Sequence, residues 1–155
     1  MITYQVETLD ECLEEAIELG RLLDAEVNPD GFSGEFSVDR EQYRALERAG
    51  MLLPVTAREG RKLIGFIALV LSPHIHYSAE RVAAASTLYV AKSHRGTRAP
   101  HALLSKALRL AKDSGGASRF TVHMSEQIPF HRLLERVGFQ KTGETWETRI
   151  DVHRT

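Results

Sequence analysis

The run Leu63-Ile64-Gly65-Phe66-Ile67-Ala68-Leu69-Val70-Leu71 constrains the fold more than any other part of the chain. It is the longest apolar stretch, yet it falls well short of the roughly 20 residues that cross a bilayer. A run this short and this apolar reads as a buried strand, Lys62 to Leu71, central in its sheet.

The flanking sequence supplies the elements to cover such a strand. Residues 2–7 alternate weakly and suit a first strand. Thr8, with Asp10 and Glu11 behind it, suits a helix start. Leu9, Cys12, Leu13, Ala16, Ile17 and Leu23 then form one apolar stripe, fading near Val27 before the turn Asn28-Pro29-Asp30-Gly31. Asp39 caps a second helix running to about Arg48, which Gly50 ends. Met51 to Arg58 is a strand, Glu59-Gly60 a hairpin turn, and Ser72 to Tyr77 breaks the strand that follows. Val82 to Val90 is a strand rich in small residues, and Lys92 to Ala99 a basic loop. Pro100 opens a helix that closes at Gly115-Gly116. Phe120 to Met124 is a short strand, Phe130 to Val137 a helix closed by Gly138-Phe139. Thr145 to Val152 is a last strand in which Trp146 alternates inward. The order β-α-α-β-β-β-α-β-α-β predicts a single α/β domain over residues 1–155, with a mixed central sheet flanked by helices.

Composition excludes several classes. The 20 Lys and Arg nearly cancel the 21 Asp and Glu, which argues against a wholly basic nucleic-acid coat and against a disordered acidic tail. The single cysteine, Cys12, excludes an intrachain disulfide framework and a Cys-based zinc ribbon, and its place on the apolar stripe reads as a small buried hydrophobe. The first residues lack the basic and apolar regions of a secretory signal, so the expected location is a cytoplasm, with no membrane partner.

The segment that carries chemistry is Leu88-Tyr89-Val90-Ala91-Lys92-Ser93-His94-Arg95-Gly96-Thr97-Arg98-Ala99-Pro100-His101-Ala102-Leu103-Leu104. It is a strand, a basic glycine-bearing turn, then an amphipathic helix. A helix N-terminus presents unpaired N–H groups and a partial positive charge, so phosphates bind there favourably. Arg95 and Arg98 add direct phosphate partners. The competing reading is an ordinary solvated turn.

The segment resembles the pyrophosphate loop of the GNAT superfamily of acetyl-CoA-dependent N-acetyltransferases. Leu88, Val90, Arg95, Gly96, Leu103 and Leu104 match its pattern. Arg98 stands where the first motif glycine belongs and Pro100 where the second does. Proline removes one N–H donor, and an arginine side chain can replace the lost backbone contact. Phe130 to Phe139 resembles the superfamily's helix ending in Gly-Phe. The block from Ser72 to Arg95 looks most like small members encoded by phages and prophages.

The resemblance implies acetyl transfer from acetyl-CoA, as co-substrate, to an amine of a protein or small molecule in a ternary complex, with no metal. It implies cofactor contacts from Leu88, Val90, His94, Arg95, Gly96, Thr97, Arg98, Ala99 and Pro100, and from Gln127, where many members place an asparagine. It implies an oxyanion donor on the Leu88–Ala91 backbone. Leu134 stands where many members carry the tyrosine that protonates the leaving thiolate, so water or another side chain has to serve, with Tyr77 and Tyr89 as candidates. An amine with pKa about 10 needs a proton acceptor, and Glu26, His74 and His76 compete for that role. Each has a plainer reading: a solvated helix acid for Glu26, packing or backbone bonding for the histidines. Dimers are common in the superfamily. A GNAT-fold binding module without catalysis, such as a phage factor engaging a host protein, is the competing function. It rests on the two replaced glycines and Leu134. A nucleic-acid partner for the Lys92–Lys112 stretch is weaker, because interleaved aromatics are missing.

The net charge hides a separation. Glu7 to Glu26 holds eight acids and one base, and Lys92 to Lys112 holds six bases and no acid. The expectation is a two-sided arrangement, with an anionic cofactor at the start of the basic run and a cationic acceptor at the end of the acidic one.

Overall fold

The computed structural model describes residues 1–86 and 88–150. Strand β1 (Ile2–Val6) leads into helix α1 (Leu9–Val27), then helix α2 (Arg40–Arg48). Strands β2 (Leu52–Glu59), β3 (Lys62–Pro73), β4 (Arg81–Ala85) and the short β5 (Tyr89–Val90) follow. Helix α3 (Ala99–Asp113), strand β6 (Arg119–Val122) and helix α4 (His131–Val137) complete the regular elements. The sheet order is β1-β2-β3-β4-β6, with β5 also paired to β3. Every pairing is antiparallel except β4 with β6, which is parallel. The expected mixed sheet flanked by helices is the fold observed.

The apolar run is explained by cover on both faces of β3. Ile67, Leu69 and Leu71 join the cluster that α3 fills with Leu103, Leu104, Ala107 and Ala111. Phe66 lies against Cys12, Ala16 and Leu19 of α1, and Leu9, Leu13, Ile17 and Leu52 gather Ala68, Val70 and α2's Tyr43 and Leu46. A strand buried on both sides has no use for polar alternation. At Gly65 the cover comes closest. A Cβ there would stand 2.9 Å from Leu103 Cδ2 and 3.2 Å from Ala57 Cβ, so glycine lets α3 sit directly on the sheet.

Local signals set the helix ends. The Glu11 carboxylate accepts from the Thr8 backbone N–H at 3.0 Å and from its hydroxyl at 2.9 Å, the reciprocal arm of a capping box. The Asp39 carboxylate accepts from the Gln42 N–H at 3.0 Å. Gly138 closes α4 at φ 109°, a left-handed conformation that favours glycine. The β2–β3 turn lies one residue later than expected: Glu59 pairs with Lys62, so Gly60-Arg61 forms it, with Gly60 at φ 62°.

Two expectations fail. The strand expected over Val82–Val90 is divided, because Arg81–Ala85 pairs with the end of β3 and Tyr89–Val90 with its beginning. The last strand, expected from Thr145 to Val152, is not formed among residues 145–150, and Val152 lies outside the described residues. Trp146 does not turn inward. It is 88% exposed, and Ile150 82%. The Arg149 guanidinium ties this stretch to the α1–α2 loop, donating to the Phe32 carbonyl at 3.1 Å. Among the described residues no helix is long and apolar enough to cross a membrane.

Candidate functional site

The division of that strand builds the site. Parallel β4 and β6 stay paired through Ala85 and Val122, and the His123 N–H donates to the Ala85 carbonyl at 3.0 Å. Beyond this point the chain leaves β6 and joins β3 as β5. The Ala91 N–H donates to the Ile64 carbonyl at 2.8 Å. Alternation along an antiparallel strand therefore turns the Val90 N–H and C=O to the edge that β3 does not occupy. Arg95 reports that orientation, since its Nε donates to the Val90 carbonyl at 3.0 Å. Val90 N–H is thus a fixed donor on an open strand edge, beside the turn into α3.

The turn gathers most of the expected phosphate contacts. Lys92–His94 forms a single 3-10 turn. His94 is held by the Ser93 hydroxyl at 2.8 Å and lies 3.4 Å from Glu59. The Thr97 hydroxyl donates to the His94 carbonyl at 2.7 Å and accepts from the Ala99 N–H at 3.2 Å, so Thr97 performs the capping. Gly96, Thr97 and Arg98 are exposed, Pro100 lies in the first turn of α3, and Leu88, Val90 and Ala99 are buried beneath it. Among the described residues the Gly96, Arg98 and His101 N–H groups have no hydrogen-bond acceptor. This donor set fits a phosphate-bearing ligand even with Pro100 in the helix. Gln127 is exposed in the loop after β6, where its N–H donates to the Ser125 hydroxyl at 3.2 Å.

Arg95 and Glu26 meet, which nothing local in the sequence signals. Arg95 Nη1 stands 2.6 Å from Glu26 Oε2 and Nη2 3.2 Å from Glu26 Oε1. The hydrogen bond from Arg95, opposed by partial desolvation and aided by the charges of Arg95 and Lys92, holds the Glu26 carboxyl below its ordinary value. The ends of the acidic and basic runs are therefore paired with each other. Further acids of the first run are also taken: Glu14 by Arg40, Glu18 by Arg21, and Glu7 and Glu15 by Arg58. The expected separation of charge is reduced to few free carboxylates.

Tyr89 is half-buried and stacked on Phe66, with ring centroids 6.1 Å apart. Burial, with the charge of Tyr43 and Asp24, pushes its phenol up to about 12 against a hydrogen bond with Ser86. Its ring packs against the cluster that Phe66 forms with α1. His74 and His76 lie away from Val90 along the sheet. They follow the far end of β3, whereas Val90 pairs with Gly65 near its beginning. Nine residues of strand correspond to about 30 Å. His74 instead packs on Tyr77 at 4.8 Å, and its Nδ1 accepts from the His76 N–H at 3.1 Å. Tyr77 lies in the same hairpin, with Arg119 over its ring at 4.7 Å. Cys12 is buried and its thiol pushed up to about 12, chiefly by desolvation. Among the described residues no three His, Cys, Asp or Glu side chains group as metal ligands would.

Comparison with known proteins agrees with this fold. The model of the acetyltransferase (GNAT) family matches residues 11–139. No curated protein matches the sequence. Similar solved structures include a transcriptional regulator from Bacillus halodurans C-125, at 18% identity and TM-score 0.75, covering 97% of this chain and 100% of that one. A ribosomal-protein-alanine N-acetyltransferase from Brucella melitensis biovar Abortus 2308 aligns at 16% identity and TM-score 0.71, covering 96% and 99%. A predicted acetyltransferase from Clostridium acetobutylicum, with acetyl-CoA, aligns at 18% identity and TM-score 0.69, covering 96% of each chain. At these identities the structures share the fold.

Proposed function

The chain belongs to the acetyltransferase (GNAT) family, and we propose that it moves the acetyl group of acetyl-CoA to an amine by direct attack within a ternary complex. The observation that carries this reading is the Val90 N–H on the open edge of β5, fixed beside the α3 N-terminus and Arg95.

Acetyl-CoA supplies a thioester carbonyl, which is activated toward amines. Val90 N–H is placed to stabilise negative charge developing on that oxygen, and a preorganised backbone donor is worth about 3 kcal/mol in such a role. The Gly96, Arg98 and His101 N–H groups and the Arg98 side chain supply the phosphate cradle. Pro100 contributes a preset backbone angle in place of a donor. Arg95, bonded to the Val90 carbonyl, ties the Glu26 carboxylate to this edge, and we assign it the acceptor's proton. Leu134 cannot donate to the thiolate, and we assign that proton to water.

Acetyl-CoA should raise the melting temperature, and a panel of protein, polyamine and small-molecule amines should include one whose addition releases free CoA thiol. Absence of CoA binding at millimolar concentration would sink the enzyme reading and favour a non-catalytic binding module.

A further inference from the structure

We propose that the Glu26–Arg95 pair is a latch which the cofactor's phosphates open, so that Glu26 is released to the acceptor only once the acetyl donor is seated. The inference rests on the reading that acetyl-CoA docks at the start of α3, and it adds an order of events to that site.

The argument is a count of donors. A guanidinium carries five N–H groups on a rigid plane. Arg95 spends Nε–H on the Val90 carbonyl. It spends one N–H of each Nη on Glu26, at 2.6 and 3.2 Å, closing the end-on edge of the fork. The two N–H groups left over lie on opposite edges of the plane. Neither edge then offers the parallel pair that grips a phosphate bidentately. With Nε held on the Val90 carbonyl, Arg95 can bind a phosphate in its strongest geometry only if Glu26 lets go.

The bond to Val90 decides which partner moves. Nε stays anchored on the strand, so the fork remains aimed across the mouth of the turn while its end-on edge changes hands. Arg95 and Glu26 side chains are 28% and 33% exposed, so water reaches the pair and exchange is not blocked by burial. The released carboxylate stays in the last turn of α1, which holds no basic residue. Besides Arg95, the charged group that acts on it is Lys92 from the turn. Carbonyl dipoles at a helix C-terminus disfavour an anion, so Glu26 without Arg95 is a stronger proton acceptor than Glu26 within the pair. Cofactor binding and base activation become one event, and an amine arriving first meets an occupied carboxylate.

Calorimetry with CoA tests this on the full chain, using wild type, Glu26→Gln, Arg95→Gln and the double variant, each checked for folding by circular dichroism. Removing the competitor should make Glu26→Gln bind CoA about fivefold tighter, the size expected for a partly exposed pair, while acetyl transfer falls. In the Arg95→Gln background the same change should give no gain. Equal or weaker binding by Glu26→Gln overturns the latch and leaves acetyl-CoA docking intact. A fivefold gain that persists without Arg95 also overturns it, since the effect would then be charge removal alone. Failure of every folded variant to bind CoA overturns the docking reading and the latch together.

Discussion

Arg58 grips Glu7 with two parallel donors: Nε at 2.7 Å from Oε2 and Nη2 at 2.9 Å from Oε1. The Glu7 side chain is only 3% exposed and Arg58 13%. The Thr56 hydroxyl also donates to Glu7, and Arg58 reaches the Arg61 and Glu11 carbonyls and Glu15. This network joins the end of β1 to β2 and to the first turns of α1. Breaking a buried pair by removing one charge costs about 3 kcal/mol. Glu7→Gln should therefore lower the melting temperature by roughly 6–12 °C. A loss under about 1 kcal/mol in urea unfolding would assign the pair to a solvated surface instead.

The same pair sets the acid limit. Burial pushes the Glu7 carboxyl up, but hydrogen bonds from Arg58, Thr56 and Gln5 more than reverse this and leave it below its ordinary value. A carboxyl depressed in the folded state contributes stability above its unfolded pKa, about 4.3. That contribution is lost as pH falls through the folded value. Glu26, held low by Arg95, adds to the same window. Stability should fall steeply below about pH 4.3, and Glu7→Gln should flatten the slope. An unchanged slope in the variant would remove Glu7 from the titration.

Gly65→Ala should destabilise the chain by about 2 kcal/mol, the cost of overpacking. Besides Leu103 Cδ2 and Ala57 Cβ, the new methyl would meet the Tyr89 carbonyl at 3.4 Å. Leu103 lies on the first buried turns of α3, so the relief of the clash moves the helix that carries the phosphate cradle. CoA affinity should weaken along with stability. Melting and CoA titration of the one variant measure both, and weaker stability with unaltered CoA affinity would show that α3 absorbs the methyl without moving.

His74→Ala with His76→Ala should leave acetyl transfer within about twofold of wild type. The two rings sit in the β3–β4 hairpin, bonded to each other's residue and packed on Tyr77. Loss beyond about tenfold, with unchanged melting, would return the base to the hairpin.

Legibility differed by the range of the interaction. α1 and α3 were readable because an apolar stripe and a helix-start residue are local, as Thr8 and Pro100 illustrate. The central place of β3 was readable because burial on two faces leaves a mark in composition. The turn at Gly96–Ala99 stands out in the sequence through its basic residues and its likeness to a known loop. The Glu26–Arg95 pair spans 69 residues, and either residue alone reads as a solvated charge or a ligand contact. The histidines looked apt because their chemistry suits a base, but the register of β3 with β4 and β5 carries them to the end of β3 opposite Val90. Alternation over 145–152 suggested a strand, yet alternation describes only a side-chain pattern. A strand also needs a partner edge.

That last point has a direct optical test, because Trp146 is the one tryptophan in the chain. It lies in a stretch, 140–150, whose every residue is exposed, and Arg149 draws the stretch toward Phe32 rather than toward β6. An indole 88% exposed has lost almost none of its contact with water, so its fluorescence should peak where free tryptophan does in water. Acrylamide should quench it nearly as efficiently as the free amino acid. Trp146→Ala should change stability by less than about 0.5 kcal/mol, as expected of a surface position without packing. A blue-shifted, quencher-resistant emission, or a loss above about 1.5 kcal/mol on truncation, would mean that the indole is buried and that residues 145–150 pair with an edge in solution.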